Sequence, residues 1–275
     1  MDNNPPEVTR RQFGELAVLV GLGTLLPPLP DLDLNNGRLL ETTKYFLKLS
    51  EAKAGIIDIM NRSGVVNNLV PLIKWSERGR INHNNSEIQG ITPEVVRRDD
   101  GVKLVFAFDQ FEVKPQKNVP SGLVVAYDMT HGKANNEVVI TPQILENPFH
   151  LEKIMLGMGC FYGVRHGTVS ADVVWPNRSI TLSPFENQQW NQFPDATGVI
   201  LKSVYPESPS IALKIRNRNN LSATQVDLET RDRVWDPSQQ ALLDKLKQTT
   251  GKSSWIEAGV VYFSPGCKLV LTVGA

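Results

Sequence analysis

Hydrophobic residues in the C-terminal two thirds of the chain recur at every second position or in short unbroken runs, a pattern typical of β-strands. In Ser210–Arg216, the side chains of Ile211, Leu213 and Ile215 share one face, opposite the charged residues of that segment. This strand is therefore predicted to bury one face and expose the other. Similar patterns predict nine further strands, at Val102–Phe108, Gly122–Tyr127, Glu137–Ile140, Thr168–Trp175, Ser179–Leu182, Thr197–Tyr205, Ala223–Leu228, Gly259–Phe263 and Lys268–Val273.

Three segments show the longer period of helices. Apolar residues between positions 38 and 60 recur at intervals of three and four, which predicts a helix there. A second helix is predicted after Thr141, with Pro142 in its first turn. A third is predicted after Asp236, whose side chain is a suitable cap, and it should end at Gly251.

Together these elements predict a mainly β (α+β) fold. We expect an antiparallel β-sandwich or barrel-like domain with N-terminal helices and two short inserted helices, because many irregularly spaced strands disfavour a parallel βαβ arrangement. Residues 1–35 are interpreted as an export signal or an assembly arm, and residues 101–275 as the β-rich domain. Residues 36–100 are interpreted as a helical N-terminal region followed by a polar linker over 76–101.

The N-terminus carries a short motif, Thr-Arg10-Arg11-Gln-Phe13, followed by the apolar run 17–26 and a proline-rich joint. This resembles a bacterial twin-arginine export signal, which implies a periplasmic or extracellular protein. The run is shorter than the roughly 20 residues needed to cross a bilayer, so no conventional transmembrane span is predicted. The same run is also typical of a buried first helix, in which case the protein would be cytoplasmic or part of a virion.

The overall charge narrows the range of functions. The chain has 275 residues with 29 Lys+Arg and 29 Asp+Glu, so its formal net charge is zero. Such a balance gives no case for a nucleic-acid partner bound by a basic surface. Two cysteines are too few for a disulfide scaffold, although Cys160 and Cys267 could form one bond in an exported protein.

The string Gly157-Met-Gly-Cys160-Phe-Tyr-Gly163 is the most suggestive candidate for catalysis. It resembles the Gly-Cys-Phe-Trp-Gly loop of peptide methionine sulfoxide reductases, which implies that the Cys160 thiolate attacks a sulfoxide. Arg165 and His166 lie close by in the sequence and are the candidate groups for lowering the pKa of this thiol. The alternative is a buried cysteine at a turn.

No pattern predicts a metal or a cofactor. The four histidines, His83, His131, His150 and His166, do not have the spacing of metal ligands. A phosphate-binding glycine loop and a nucleophile elbow are also missing from the sequence.

A cluster of aromatic residues among amides favours binding over catalysis. Trp175, Phe185, Trp190 and Phe193 lie within a segment rich in Asn and Gln. Aromatic rings stack while amides donate and accept hydrogen bonds, so such a segment suits contact with a protein or a carbohydrate surface. The alternative is a β connection held in place by its own aromatic residues.

These observations lead to three hypotheses about function. The first is a non-enzymatic β-rich binding or assembly protein, exported if the N-terminal motif is a signal. Its expected partner is a protein or carbohydrate surface, and a second copy of the chain is one candidate. The second is a structural subunit of a viral or phage-like particle with an ordered N-terminal arm. The third is a thiol-dependent enzyme that uses Cys160.

Overall fold

Most of the chain is folded into β-strands. The computed structural model describes residues 37–62, 64–77, 80–85, 90–114, 117–151, 153–184, 189–216, 223–234 and 236–274. Within these ranges eighteen strands form two nine-stranded sheets, and neighbouring strands pair antiparallel. The predicted mainly β, antiparallel, sandwich-like fold is confirmed.

The first sheet joins N-terminal strands to strands from the second half of the chain. Its members are β1 (Arg38–Glu41), β2 (Phe46–Leu49), β3 (Ile57–Asn61), β4 (Gly64–Glu77), β5 (Arg80–Asn85), β10 (Met155–Cys160), β13 (Gln189–Pro194), β16 (Thr224–Arg231) and β17 (Trp255–Phe263). Their order is β1-β2-β3-β4-β10-β17-β16-β13, and β5 pairs with β4.

The second sheet is built around a long hairpin. Its members are β6 (Glu94–Arg98), β7 (Gly101–Lys114), β8 (Lys117–His131), β9 (Glu137–Glu146), β11 (Thr168–Trp175), β12 (Arg178–Leu182), β14 (Gly198–Ser203), β15 (Ile211–Arg216) and β18 (Lys268–Val273). Their order is β12-β11-β14-β15-β18-β9-β8-β7-β6.

The main core lies between the facing sides of the two sheets. Trp75 and Phe263 of the first sheet are buried in the same cluster as Phe106 and Tyr127 of the second. The rings of Phe106 and Tyr127 meet edge to face, with centroids 5.8 Å apart. Burying each large apolar side chain contributes about 1.5–3 kcal/mol, so this cluster is a major source of stability.

Two helices interrupt the strands in the described part of the chain. Helix α1 (Gly163–His166) is one turn, whereas α2 (Gln240–Thr250) follows a 3-10 turn. The Asp236 carboxylate accepts a hydrogen bond from Ser238 N at 2.9 Å, and Gly251 ends α2 with φ of 69°. The prediction of a capped helix here is confirmed. Neither of these two helices is long and apolar enough to cross a membrane.

The prediction of a helix over 38–60 is wrong, because this segment forms β1, β2 and β3. Two turns divide it into pieces too short for a stable helix. In the first turn Thr42 N donates to Tyr45 O, and in the second Ser50 N donates to Ile56 O. The apolar spacing came from separate strands and matched a helical period by coincidence.

Two other local predictions also fail. The polar stretch 76–101 contains β5 and β6 and is therefore not one continuous loop. The helix predicted after Thr141 is instead the second half of β9. Strand β18 pairs with β9 only as far as Ile140, so Pro142 lies where one side of β9 has no described strand beside it. A proline is tolerated at such an edge position.

Close packing at Gly163 generates a test of this fold. A Cβ built on Gly163 would lie 1.6 Å from the carbonyl oxygen of Ile256, which belongs to the backbone and cannot rotate away. We expect Gly163→Ala to lower the free energy of unfolding by about 3 kcal/mol in urea titrations. The matched control is Gly251→Ala, where no atom lies within 4 Å and only the positive φ opposes the change. It should cost about 1 kcal/mol, and equal losses in the two variants would contradict the packing described.

Candidate functional site

The glycines of the string Gly157–Gly163 are explained by packing. On β10, a Cβ at Gly157 would lie 2.8 Å from the Tyr262 ring, and one at Gly159 would lie 2.8 Å from Val260 Cγ2. Gly163 lies against the backbone of β17, as described above. The string therefore contains residues small enough to allow side chains of β17 to cross β10.

Cys160 is placed in the core, at the end of β10. It is 2% exposed, and burial raises the pKa of its thiol. A nucleophilic cysteine needs a lowered pKa and access to substrate, so this environment disfavours the sulfoxide chemistry that the resemblance implies. Cys267 is also buried, and neither cysteine forms a disulfide.

Arg165 and His166 lie in α1, but only one of them is accessible. Arg165 is exposed, whereas His166 is buried. Burial and the neighbouring Arg165 guanidinium lower the pKa of His166 to about 4, so its imidazole is neutral and weakly basic at pH 7. The carbonyl oxygen of His166 accepts a hydrogen bond from Ser203 Oγ at 2.6 Å, which ties α1 to β14. These contacts indicate a structural position for this histidine.

The structure brings together two of the four predicted binding residues, Trp175 and Phe193. Their rings meet edge to face with centroids 6.1 Å apart, and Trp175 Nε1 donates to Pro194 O at 3.1 Å. On its other side, the Trp175 ring lies 4.6 Å from the guanidinium of Arg178. Since Trp175 and Arg178 belong to the second sheet and Phe193 to the first, this corner joins the sheets.

Trp190 is separated from that corner. It lies on β13 opposite Glu229, whereas Phe193 lies opposite Val226, whose side chain belongs to the core. Residues 190 and 193 therefore point to opposite faces of the strand. Trp190 is 50% exposed, which leaves a large aromatic surface at the margin of the first sheet.

Four predicted site residues lie outside the part of the chain that the structure describes: Phe185, Arg10, Arg11 and Phe13. The export signal and the assembly arm therefore stay predictions. Among the described residues, no group of three or more His, Cys, Asp or Glu side chains is arranged to hold a metal ion.

The strands at the ends of the sheets differ in charge. Unpaired main-chain groups at such edges are ready to pair with another chain, and charged side chains discourage that pairing. Among the described strands five lie at sheet edges, and four of these carry charged residues: β1 with Arg38 and Glu41, β5 with Arg80, β6 with Glu94, Arg97 and Arg98, and β12 with Arg178. Strand β13, Gln-Trp-Asn-Gln-Phe-Pro, carries none. It is also the edge strand that exposes Trp190, and these two properties make it the candidate binding site.

The outer face of the first sheet holds a buried ion pair that the sequence analysis missed. Lys74 Nζ lies 3.7 Å from Asp227 Oδ2, and both side chains are less than 5% exposed. Strands β10 and β17 lie between the strands of these two residues, so the side chains meet over β10 and β17. Gly157 and Gly159 leave room for this crossing, and the Tyr262 ring lies 4.9 Å from Lys74 Nζ. Burial lowers the pKa of Lys74, and Asp227 opposes that shift.

A second charged cluster lies beside this pair. Arg231 Nε lies 2.7 Å from Glu229 Oε1 and its Nη1 lies 3.5 Å from Glu257 Oε1. Trp255 Nε1 donates to Glu257 at 2.6 Å, while burial raises the pKa of this carboxyl group. The only sequence signal was a polar residue at every second position of β16. That alternation is typical of a solvated face, and tertiary packing made it a buried one.

Comparisons with known proteins identify no family for this chain. No family model and no curated protein matches the chain. A similar solved structure is Slr1438 from Synechocystis sp. PCC 6803, with 9% identity and a TM-score of 0.44, covering 86% of this chain and 94% of that one. We draw no functional conclusion from this similarity.

The burial of both cysteines predicts low thiol reactivity. In the native protein, Ellman's reagent should react with neither thiol, and both should react after unfolding in guanidinium because they become exposed. Cys160→Ser and Cys267→Ser variants assign any signal to one residue. A rapid reaction of Cys160 in the native protein would contradict the buried environment and revive the thiol-enzyme hypothesis.

The depressed pKa of His166 predicts a pH-dependent stability. In the unfolded chain the His166 imidazole becomes protonated below about pH 6.5, whereas in the folded protein its pKa is about 4. Stability should therefore fall as the pH drops through this window, by up to about 3 kcal/mol. In urea titrations from pH 7 to pH 4, His166→Gln should lose less stability than the parent protein. The control His131→Gln changes an exposed histidine and should keep the parental slope, and a parental slope in His166→Gln would contradict this interpretation.

Proposed function

We propose that this chain is a non-enzymatic binding or assembly protein that holds an extended polypeptide along the edge of β13 that faces away from β16, where the described residues form no further strand. The observation that carries the proposal is Trp190, half exposed on an edge strand without a charged residue. Tryptophan is enriched in contact sites because it buries a large apolar surface and keeps a polar group at its rim.

An extended polypeptide suits this edge better than a carbohydrate does. A sheet edge offers main-chain donors and acceptors at regular spacing, and an added strand satisfies all of them at once. Trp190 and the exposed Gln192 lie on the same face of β13, so they would contact alternate side chains of the added strand. A sugar could stack on Trp190 but would leave the main-chain groups to water.

The chemistry of the interior supports binding over catalysis. The Cys160 thiol is buried with a raised pKa, and His166 is neutral and enclosed. Neither group offers a reactive side chain to a substrate in solution. The edge of β13, by contrast, exposes the aromatic surface of Trp190.

A peptide probe tests this proposal. A fluorophore-labelled peptide of eight alternating threonine and valine residues is titrated with the protein and followed by anisotropy. The parent protein should bind it, and Trp190→Ala should weaken binding about 30-fold, since removal of a central tryptophan costs about 2 kcal/mol.

The matched control is Phe149→Ala, which removes another exposed aromatic side chain, at the surface loop that follows β9. It should leave the affinity unchanged. The titration is run at protein concentrations at which the parent is monomeric, so that a second copy does not compete for the edge. If the monomeric parent fails to bind the peptide, or if both variants weaken binding equally, the edge of β13 is not the binding site.

A further inference from the structure

We infer that the polypeptide held by β13 is the same strand of a second copy of this chain, paired antiparallel about a two-fold axis at Asn191. This inference rests on the proposed function and names its partner. It follows from which residues of β13 are hydrogen-bonded to β16, from the position of Pro194 and from the charges of the edge strands.

The hydrogen bonds between β13 and β16 show which main-chain groups of β13 point away from β16. Asp195 N donates to Thr224 O at 2.9 Å, and these two residues continue the register in which Phe193 faces Val226 and Asn191 faces Leu228. In antiparallel strands, hydrogen-bonded and non-hydrogen-bonded pairs alternate. Asn191 and Phe193 are therefore hydrogen-bonded to β16. The main-chain groups of the alternate residues, such as Gln192, point away from β16.

The outward positions of β13 are Trp190, Gln192 and Pro194. Proline has no N–H, so the third position cannot donate, and a proline is tolerated there because it faces away from the ladder. The outward donors of the strand are thus the amides of Trp190 and Gln192. They are two residues apart, which is the spacing that a single added strand requires.

With a two-fold axis at Asn191, both outward N–H groups of each copy find an acceptor on the other copy. Trp190 of one copy then faces Gln192 of the second copy, and each such pair exchanges two N–H···O=C hydrogen bonds. Two pairs are related by the axis, so the contact has four main-chain hydrogen bonds. On the outer face, each Trp190 ring lies over the amide side chain of the opposite Gln192.

Charge favours a second copy of this strand. Symmetric pairing of β12 would bring two copies of Arg178 and no acidic residue into the contact, which is unfavourable. The uncharged β13 avoids that cost. Because its other side is occupied by β16, one partner saturates it, and the assembly closes as a dimer.

Sedimentation velocity over a range of protein concentrations tests the inference. The parent protein should show a concentration-dependent monomer–dimer equilibrium. Gln192→Pro removes an outward N–H without touching the ladder to β16, and it should raise the dimer dissociation constant at least tenfold. Gln192→Ala keeps that N–H and should change the constant far less.

A second variant guards against a folding defect in Gln192→Pro. Gln192→Lys keeps the backbone intact, places its ammonium opposite Asp227 within the monomer, and adds charge to the edge. It should also weaken the dimer at least tenfold, with an unchanged melting temperature.

Two outcomes would overturn the inference. One is a parent protein that stays monomeric at all concentrations. If that monomer binds the threonine–valine peptide, the partner is another protein and the proposed function stands. If it does not bind, both proposals fail. The other is dimerisation of Gln192→Pro and Gln192→Lys at the parental strength.

Discussion

A β-sheet must end somewhere, and its last strand leaves main-chain hydrogen-bonding groups without a strand beside them. In the described part of this protein, four of the five strands at the edges of the two sheets carry charged residues. Strand β13 is uncharged and carries a half-exposed tryptophan. This difference matters for function, because an uncharged edge strand with an exposed aromatic side chain is more prone to pair with another chain than a charged one.

The cysteine and the ion pair described above lie in buried positions. Gly157 and Gly159 make room for side chains of the neighbouring strand β17, Gly163 packs against the backbone of β17, and Cys160 is buried in the core. Lys74 and Asp227 form a buried ion pair, in which removing one partner would leave the other charge without compensation. These groups are enclosed by the fold, whereas Trp190 on the edge of β13 is accessible to a partner.

The sequence predicted correctly those elements that depend on neighbouring residues alone. The strands Thr168–Trp175 and Lys268–Val273 have the predicted bounds because they are short apolar runs rich in β-branched residues. The cap at Asp236 and the stop at Gly251 are likewise local. Residues 38–60 were mispredicted because two turns cut an apolar pattern that matched a helix. The status of β13 as an edge depends on strand order across the whole chain, and the separation of Trp190 from Trp175 depends on that order too.

The central claim is that the outward amides of Trp190 and Gln192 pair with a second copy. Hydrogen–deuterium exchange resolved to single amides measures this directly at low and high protein concentration. The account predicts that these two amides become protected as concentration rises, while Asn191, already bonded to β16, stays equally protected throughout. Rapid exchange of Trp190 and Gln192 at every concentration would contradict it.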